Sequence, residues 1–391
     1  MNTQVRTAHP GSNDNGHPTS RLRADLPLYL GFAATGVGVA LPGVLLPVML
    51  VRWHLRDAQA GRLFLMAWIG SSLGALLVRG SLRRCLLFGT GAIACGAVAL
   101  SFSGAAGADA CMALYGMGLG LTMTSISLLC ERHAIDKGTE LIRLNLLWAI
   151  GACSCPSLSL HAQQINDIRP MLFGLGAFFA ALFLWSLFQR ARDSVTTRPL
   201  FFKPWEMLRS VPAGLIVMIM LITGIEASAG GWLATYAQRQ GHHVAEMIAA
   251  PTCFWAGLLL SRLLWSLRTA WVSHANVVRG SIALMAAAAL LLVTSHGGPV
   301  LLAAAFAMGF GIGPTYPLLL AWSLGFQRSG SIFFLAGIGS ACLPWLTGVS
   351  SSARHSLRIG LLVPTVATAV MLALALSQPL GGWSRQERSR G

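Results

Sequence analysis

Apolar stretches of about twenty residues recur along the whole chain, at 26–50, 58–78, 85–104, 108–130, 141–162, 170–188, 211–236, 245–267, 275–295, 299–322, 329–350 and 357–377. A helix needs about that many residues to cross the roughly 30 Å hydrocarbon core of a bilayer. Inside hydrocarbon every backbone N–H and C=O must find a partner within the protein, so a chain built this way folds as spanning helices. Composition points the same way. Only 10% of the 391 residues are charged, against roughly 25% in soluble domains. A soluble enzyme and a disordered chain are both excluded. The 43 glycines follow no Gly-X-Y period, and eight cysteines are too dilute for a disulfide framework. The expected fold class is an all-α membrane protein with twelve transmembrane helices.

The formal net charge is +15. In a soluble domain this would suggest nucleic acid. In a membrane chain basic residues mark the cytoplasmic side. With the N-terminus inside, twenty-one of the 28 Lys and Arg fall in inside segments, among them Arg79, Arg83, Arg84 and Arg262. Seven fall outside, among them Arg52, Arg56, Arg62 and Arg239. That bias predicts both termini in the cytoplasm and a location in the plasma (inner) membrane. No face interleaves basic with aromatic residues, so no nucleic-acid partner is expected. Residues 1–24 are polar and rich in Gly, Asn, Pro and Ser, which reads as a disordered cytoplasmic tail, and 379–391 as a second one. No short apolar stretch ends in a small-residue cleavage site, so no removable signal peptide is expected.

The longest interior polar stretch, 189–210, lies near the middle and carries Pro199 and Pro204. It reads as a linker between an N-terminal bundle, 25–188, and a C-terminal bundle, 211–378. The halves echo each other at an offset near 188 residues. Thr35-Gly36 in span 1 matches Thr223-Gly224 in span 7. Trp68 and Gly70 in span 2 match Trp255 and Gly257 in span 8. Gly116-x-Gly118-x-Gly120 in span 4 matches Gly309-x-Gly311-x-Gly313 in span 10, and Ile150-Gly151 with Pro156 in span 5 matches Ile338-Gly339 with Pro344 in span 11. Glycine is frequent in membrane helices, so one match is weak, but four in the same order and direction predict a true repeat. Repeats in the same direction imply two six-helix bundles related by a pseudo-twofold axis along the membrane normal. Spans 3, 6, 9 and 12 show no echo and carry little polarity. They read as an outer, lipid-facing set around an inner set with hydroxyls and glycines.

Glu226 is the only acid deep inside a span. A charge at the bilayer centre costs about 2.5–3.5 kcal/mol on insertion scales, so the carboxylate should face a cavity or a partner. It reads as a hydrogen-bond acceptor for solute, a proton carrier, or both; the plainer reading is an acid tied to a neighbouring helix. Gly230-Gly231 would let the helix loosen and bring Trp232 into a cavity, or would serve close packing. Tyr236, Tyr316 and Trp148 could stack on a solute, or could be packing residues. Asn145, three residues before Trp148, shares its face and could bind solute or a neighbouring helix. Gly74, Arg79, Arg83, Arg84 and Arg262 sit at the cytoplasmic ends of spans 2 and 8. They could close a gate against acids or helix C-terminal carbonyls, or simply follow the topology rule. The eight cysteines read as small apolar residues, and His242-His243 as an exposed polar loop. No phosphate-binding loop is present, so ATP-driven transport is unsupported. Neither a cofactor nor a metal is expected.

The arrangement resembles the major facilitator superfamily over nearly the whole chain. Residues 224–239, "GIEASAGGWLATYAQR", are similar to span 7 of its sugar-transporting branch, which includes fucose permease and sodium-dependent glucose transporter-like proteins. The matching residues are Glu226, Gly230, Gly231, Trp232 and Tyr236. Residues 309–321, with Pro314 and Pro317 around Tyr316, and residues 254–262, ending in Arg262, look like spans 10 and 8 of that branch. In the loop after span 2, Gly74, Arg79, Arg83 and Arg84 match the superfamily pattern, but Val78 replaces its acid. Cys155 replaces the second glycine of the drug-antiporter pattern in span 5. The resemblance implies a secondary transporter of a sugar or sugar-like small-molecule solute, working as a monomer by alternating access, with proton or sodium coupling open. An exporter of drugs or metabolites is the first alternative. A non-transporting polytopic membrane enzyme or sensor is the second; an enzyme is disfavoured because the ten histidines do not gather around Glu226.

Overall fold

The computed structural model describes residues 18–133, 137–188, 196–197, 209–241, 244–266, 273–294, 296–326 and 331–382. The long helices are α1 (Pro18–Arg52), α2 (Asp57–Leu76), α3 (Leu82–Phe102), α4 (Ala105–His133), α5 (Lys137–Leu158) and α6 (Arg169–Phe188). They continue as α7 (Ala213–Arg239), α8 (Val244–Ser266), α9 (His274–Thr294), α10 (Gly298–Phe326), α11 (Ser331–Arg354) and α12 (Leu362–Ser377). Short helical turns, Leu160–Gln164 and Leu357–Gly360, lead into α6 and α12. Ten of the long helices are long and apolar enough to cross a membrane, which makes this an integral, multi-pass membrane protein. Of the other two, α2 is diluted by Asp57, Gln59 and Arg62, and α5 is a helix of 22 residues.

Several boundaries differ from the expectations. Helix α1 starts at Pro18, so residues 18–24 of the expected tail are helical, while 1–17 lie outside the described residues. Of the expected linker, Thr196–Thr197 pair antiparallel with Gly80–Ser81 as strands β2 and β1. The expected second tail is described to residue 382 and still helical there, and His242-His243 lie outside the described residues.

Helices end where a residue can turn left-handed. His54, Asn166 and His355 have φ of 50°, 52° and 51°. Beside them Leu55 N–H donates to Leu50 O (3.1 Å), Asp167 N–H to Ala162 O (2.9 Å) and Ser356 N–H to Ser351 O (3.1 Å). These are Schellman closures, which satisfy carbonyls that a helix end would otherwise leave bare.

Packing repeats with the sequence. The pairs α1–α5, α2–α4, α3–α4 and α3–α6 touch, and so do their counterparts six helices later: α7–α11, α8–α10, α9–α10 and α9–α12. The echoed glycines are the contact points. A Cβ on Gly36 would lie 2.0 Å from Trp148 O, and one on Gly151 would lie 1.9 Å from Ala33 O. At the equivalent seam, a Cβ on Gly224 would lie 2.7 Å from Gly339 O and one on Gly339 would lie 1.9 Å from Met220 O. Between the two sets of pairs, α1 meets α7, α2 meets α11 and α5 meets α8. Gly36→Val should therefore part α1 from α5. The expected cost is about 1–3 kcal/mol of overpacking, read as a lower unfolding temperature in detergent, while the same change at Gly174, where nothing lies within 4 Å, should be neutral.

Helices α6, α9 and α12 bury little of themselves. Only 33% of the apolar window of α6 is buried, against 72% for α1. Large apolar side chains such as Phe88, Phe188 and Leu376 stand exposed, as lipid-facing helices require. Their ends are tied by arginine. Arg83, in the first turn of α3, donates to Ser186 O (2.9 Å) and Leu187 O (2.7 Å) at the C-terminus of α6. Arg279, in the first turns of α9, donates to Ala375 O (3.0 Å) near the C-terminus of α12. Cations placed there complement the helix dipole.

Candidate functional site

Eight helices surround a central cavity of about 270 Å3: α1, α2, α4, α5, α7, α8, α10 and α11 each contribute lining residues, and among the described residues α3, α6, α9 and α12 contribute none. The helices that line it are those with hydroxyls and glycines in the sequence. Glu226 enters from the middle of α7, Arg262 from α8 and Tyr316 from α10. Asn145 and Trp148 come from α5, Trp68 from α2 and Trp255 from α8. Among the described residues of the lining, Glu226 and Arg262 are the only charged groups. They and Tyr316 lie within electrostatic range of one another, yet no ion pair joins the two charges among the described residues. The Arg262 guanidinium instead sits 5.3 Å over the Trp148 ring, a cation–π arrangement. Trp148 meets Trp255 edge-on at 5.7 Å.

Two of the hydroxyls around the cavity are held by helix carbonyls. Ser72 Oγ donates to Trp68 O (2.9 Å), and Thr223 Oγ1 donates across to Ala336 O (2.7 Å). Their donors are spent and their lone pairs remain to accept.

One end is sealed, and sequence reasoning did not find the residues that seal it. Asp57 opens α2 with its side chain 8% exposed. Arg239, ending α7, grips it with two hydrogen bonds, Nη1 to Oδ2 at 2.6 Å and Nη2 to Oδ1 at 2.5 Å. Ser351 Oγ of α11 donates to Asp57 Oδ2 at 2.5 Å, and the Ala58 N–H donates to Ser352 Oγ at 2.7 Å. The two-pronged contact fixes the guanidinium in the carboxylate plane and joins α7 to α2. A second layer lies below. The Phe64 and Trp232 rings meet edge-on at 5.9 Å. A Cβ on Gly43 of α1 would lie 2.2 Å from Gly230 O of α7, so those helices cross in backbone contact. In the sequence Asp57 falls just before span 2 and Arg239 just past span 7, each beside a different apolar stretch. Nothing local joins residues 182 positions apart. The same end holds the Arg52–Asp167 pair, and Arg62 with Asp109 at 2.8 Å. The cavity runs away from this latched end, reaching Phe333 in the first turn of α11 at the opposite end.

Two of the residues expected in the cavity are elsewhere. Helix α7 runs unbroken through Gly230-Gly231, so Trp232 stays turned away. It is fully buried, and its Nε1 donates to Pro344 O (3.1 Å). Tyr236 is also buried and donates to Leu292 O (2.7 Å). Both fasten α7 to neighbouring helices. Gly230 and Gly231 do line the cavity, with no room to spare: a Cβ would lie 2.8 Å from the Trp255 ring and 2.9 Å from the Phe64 ring respectively. Gly74 packs α2 on α4, where a Cβ would lie 2.1 Å from Met117 O. Arg79 and Arg84 are exposed, and Arg83 caps α6 rather than any second-half helix. Arg262, expected at a cytoplasmic gate, belongs to the cavity wall because α8 continues one turn past it.

No family model and no curated protein matches the sequence. Solved structures do match its fold. A POT family transporter in complex with 5-aminolevulinic acid superposes with a TM-score of 0.71 at 13% identity, over 94% of this chain and 97% of that one. A variant of the nucleoside transporter NupG gives 0.70 at 13% identity, over 92% and 99%. A POT family transporter with a thioalcohol-conjugated peptide gives 0.70 at 14% identity, over 90% and 96%. The fold of this chain is therefore the fold of these transporters.

Proposed function

We propose that the protein is a secondary active transporter of the major facilitator type. It moves a small polar solute, a sugar or sugar-like compound, across the membrane by alternating access. Twelve spans form two six-helix bundles, 25–188 and 211–378, about a pseudo-twofold axis. The repeated helix pairings support this. The contacts between halves support it too, because the axis exchanges α2–α11 with α8–α5 and maps α1–α7 onto itself.

The observation that carries the reading is a cavity lined by all eight inner helices and sealed at one end by a charged latch between the halves. Such a cavity is one of the two states that alternating access requires. The positive-inside bias places the latched end outside and the cavity facing the cytoplasm. Glu226 carries the coupling proton or faces the coupling sodium, and Asn145, Trp148 and Tyr316 contact the solute. Flux into proteoliposomes tests it. Purified protein should give saturable, solute-specific uptake that an imposed proton or sodium gradient drives uphill. Liposomes that match protein-free controls across a sugar panel would overturn it, and comparing inside-out with right-side-out vesicles gives the direction.

A further inference from the structure

Three nitrogen donors in the cavity wall have no acceptor. Arg262 Nε, Trp148 Nε1 and Trp255 Nε1 are each buried without a hydrogen-bond partner. Trp148 and Trp255 are 7% and 3% exposed. The three belong to one corner, with the guanidinium over one indole and the second indole edge-on to the first. An orphaned buried donor costs about 1–3 kcal/mol, more for a charged group, and a chain has no reason to gather three unless something fills them. The nearest acid in the lining, Glu226, makes no ion pair with Arg262. A guanidinium so placed selects an acceptor that is itself charged.

Resting on the transporter reading above, we infer that this corner is the headgroup subsite for a solute bearing an anionic carboxylate-type group. The acid of the solute meets Arg262 and the two indole N–H groups. The rest of the solute lies toward Trp68, Phe64 and the hydroxyl acceptors of Ser72 and Thr223. Charge supports the assignment. With Glu226 ionised the empty lining sums to zero, and with a monoanion on Arg262 and a proton on Glu226 the filled lining also sums to zero. Neither state then carries a net charge through the low-dielectric centre, where one uncompensated charge costs about 2.5–3.5 kcal/mol.

The test uses matched solutes that differ in one group: glucose against glucuronate, and phenyl β-glucoside against phenyl β-glucuronide. Binding to the purified full-length protein in detergent is read by tryptophan fluorescence and thermal shift. Each acid should bind about 10- to 100-fold tighter than its neutral twin. Arg262→Gln should erase that preference. Trp148→Phe keeps a ring under the guanidinium but removes one donor, and should narrow the preference several-fold while leaving the unfolding temperature of the empty protein in place. Equal affinity of the twins overturns the assignment, as does failure of both acids to bind. If Arg262→Gln does not fold, an undiminished preference in Trp148→Phe overturns it alone. Binding in detergent needs no transport, so acid binding without liposome flux would sink the transporter reading and leave this subsite standing, whereas flux of a neutral sugar with no acid preference would do the reverse.

Discussion

Glu226→Gln should insert, fold and bind solute, yet fail to accumulate it. Glutamine keeps the shape of the protonated carboxyl but cannot give up a proton. Exchange of solute across the membrane therefore continues while the ion cycle stops. One proton moving down a gradient of about 1.7 pH units supplies about 2.3 kcal/mol, which sustains a solute gradient of about 50-fold. The accumulation ratio in energised vesicles should fall from about that value to about 1, with counterflow of preloaded solute retained. Ion-driven uptake at the normal level by this variant would remove Glu226 from the coupling step. Its setting makes the effect large: among the described residues of the lining it is the only acid.

Arg239→Ala should open the latched end. The Asp57 carboxylate would stay 8% exposed with its cation gone. Breaking a fully buried pair costs about 3–5 kcal/mol. Arg239 is 39% exposed, so water screens the pair and about 1–3 kcal/mol is the better figure. The closed state is then disfavoured by about 10- to 100-fold. A cysteine in place of Ser71, in the cavity wall behind both layers, should react slowly with a membrane-impermeant maleimide added at the latched side in the parent and at least tenfold faster in the Arg239→Ala background. The double change Asp57→Asn with Arg239→Gln leaves no orphan charge and should recover part of the protection. Unchanged labelling in Arg239→Ala would show that the seal depends on the Phe64–Trp232 layer below instead.

The sequence showed the helices and the repeat because both are written in local terms. Apolar length marks a helix that lipid can surround, and the glycines at 36, 151, 224 and 339 recur because each lets two backbones touch. The lining helices were legible for a related reason: hydroxyls are tolerated where water can reach them. Glu226 stood out by its cost alone. The latch was not legible, since Asp57 and Arg239 are each unremarkable until the fold joins them. Trp232 and Tyr236 misled because an aromatic beside a deep acid suggests a ligand, whereas an unbroken α7 turns both toward other helices. The outer spans carry a kinship too thin for sequence to reveal: Arg83 and Arg279 play the same part in the two halves, and a single arginine is no motif.

The crossing at Gly43 and Gly230 has a mechanical consequence. Two helices in backbone contact there have no side chains to slide over and no gap to close. A bulky residue at either position would hold them apart. In the proposed alternating-access cycle this contact is the fulcrum between the latch and the cavity, and like the pin of a seesaw it would tie the two faces together, one mouth widening as the other narrows.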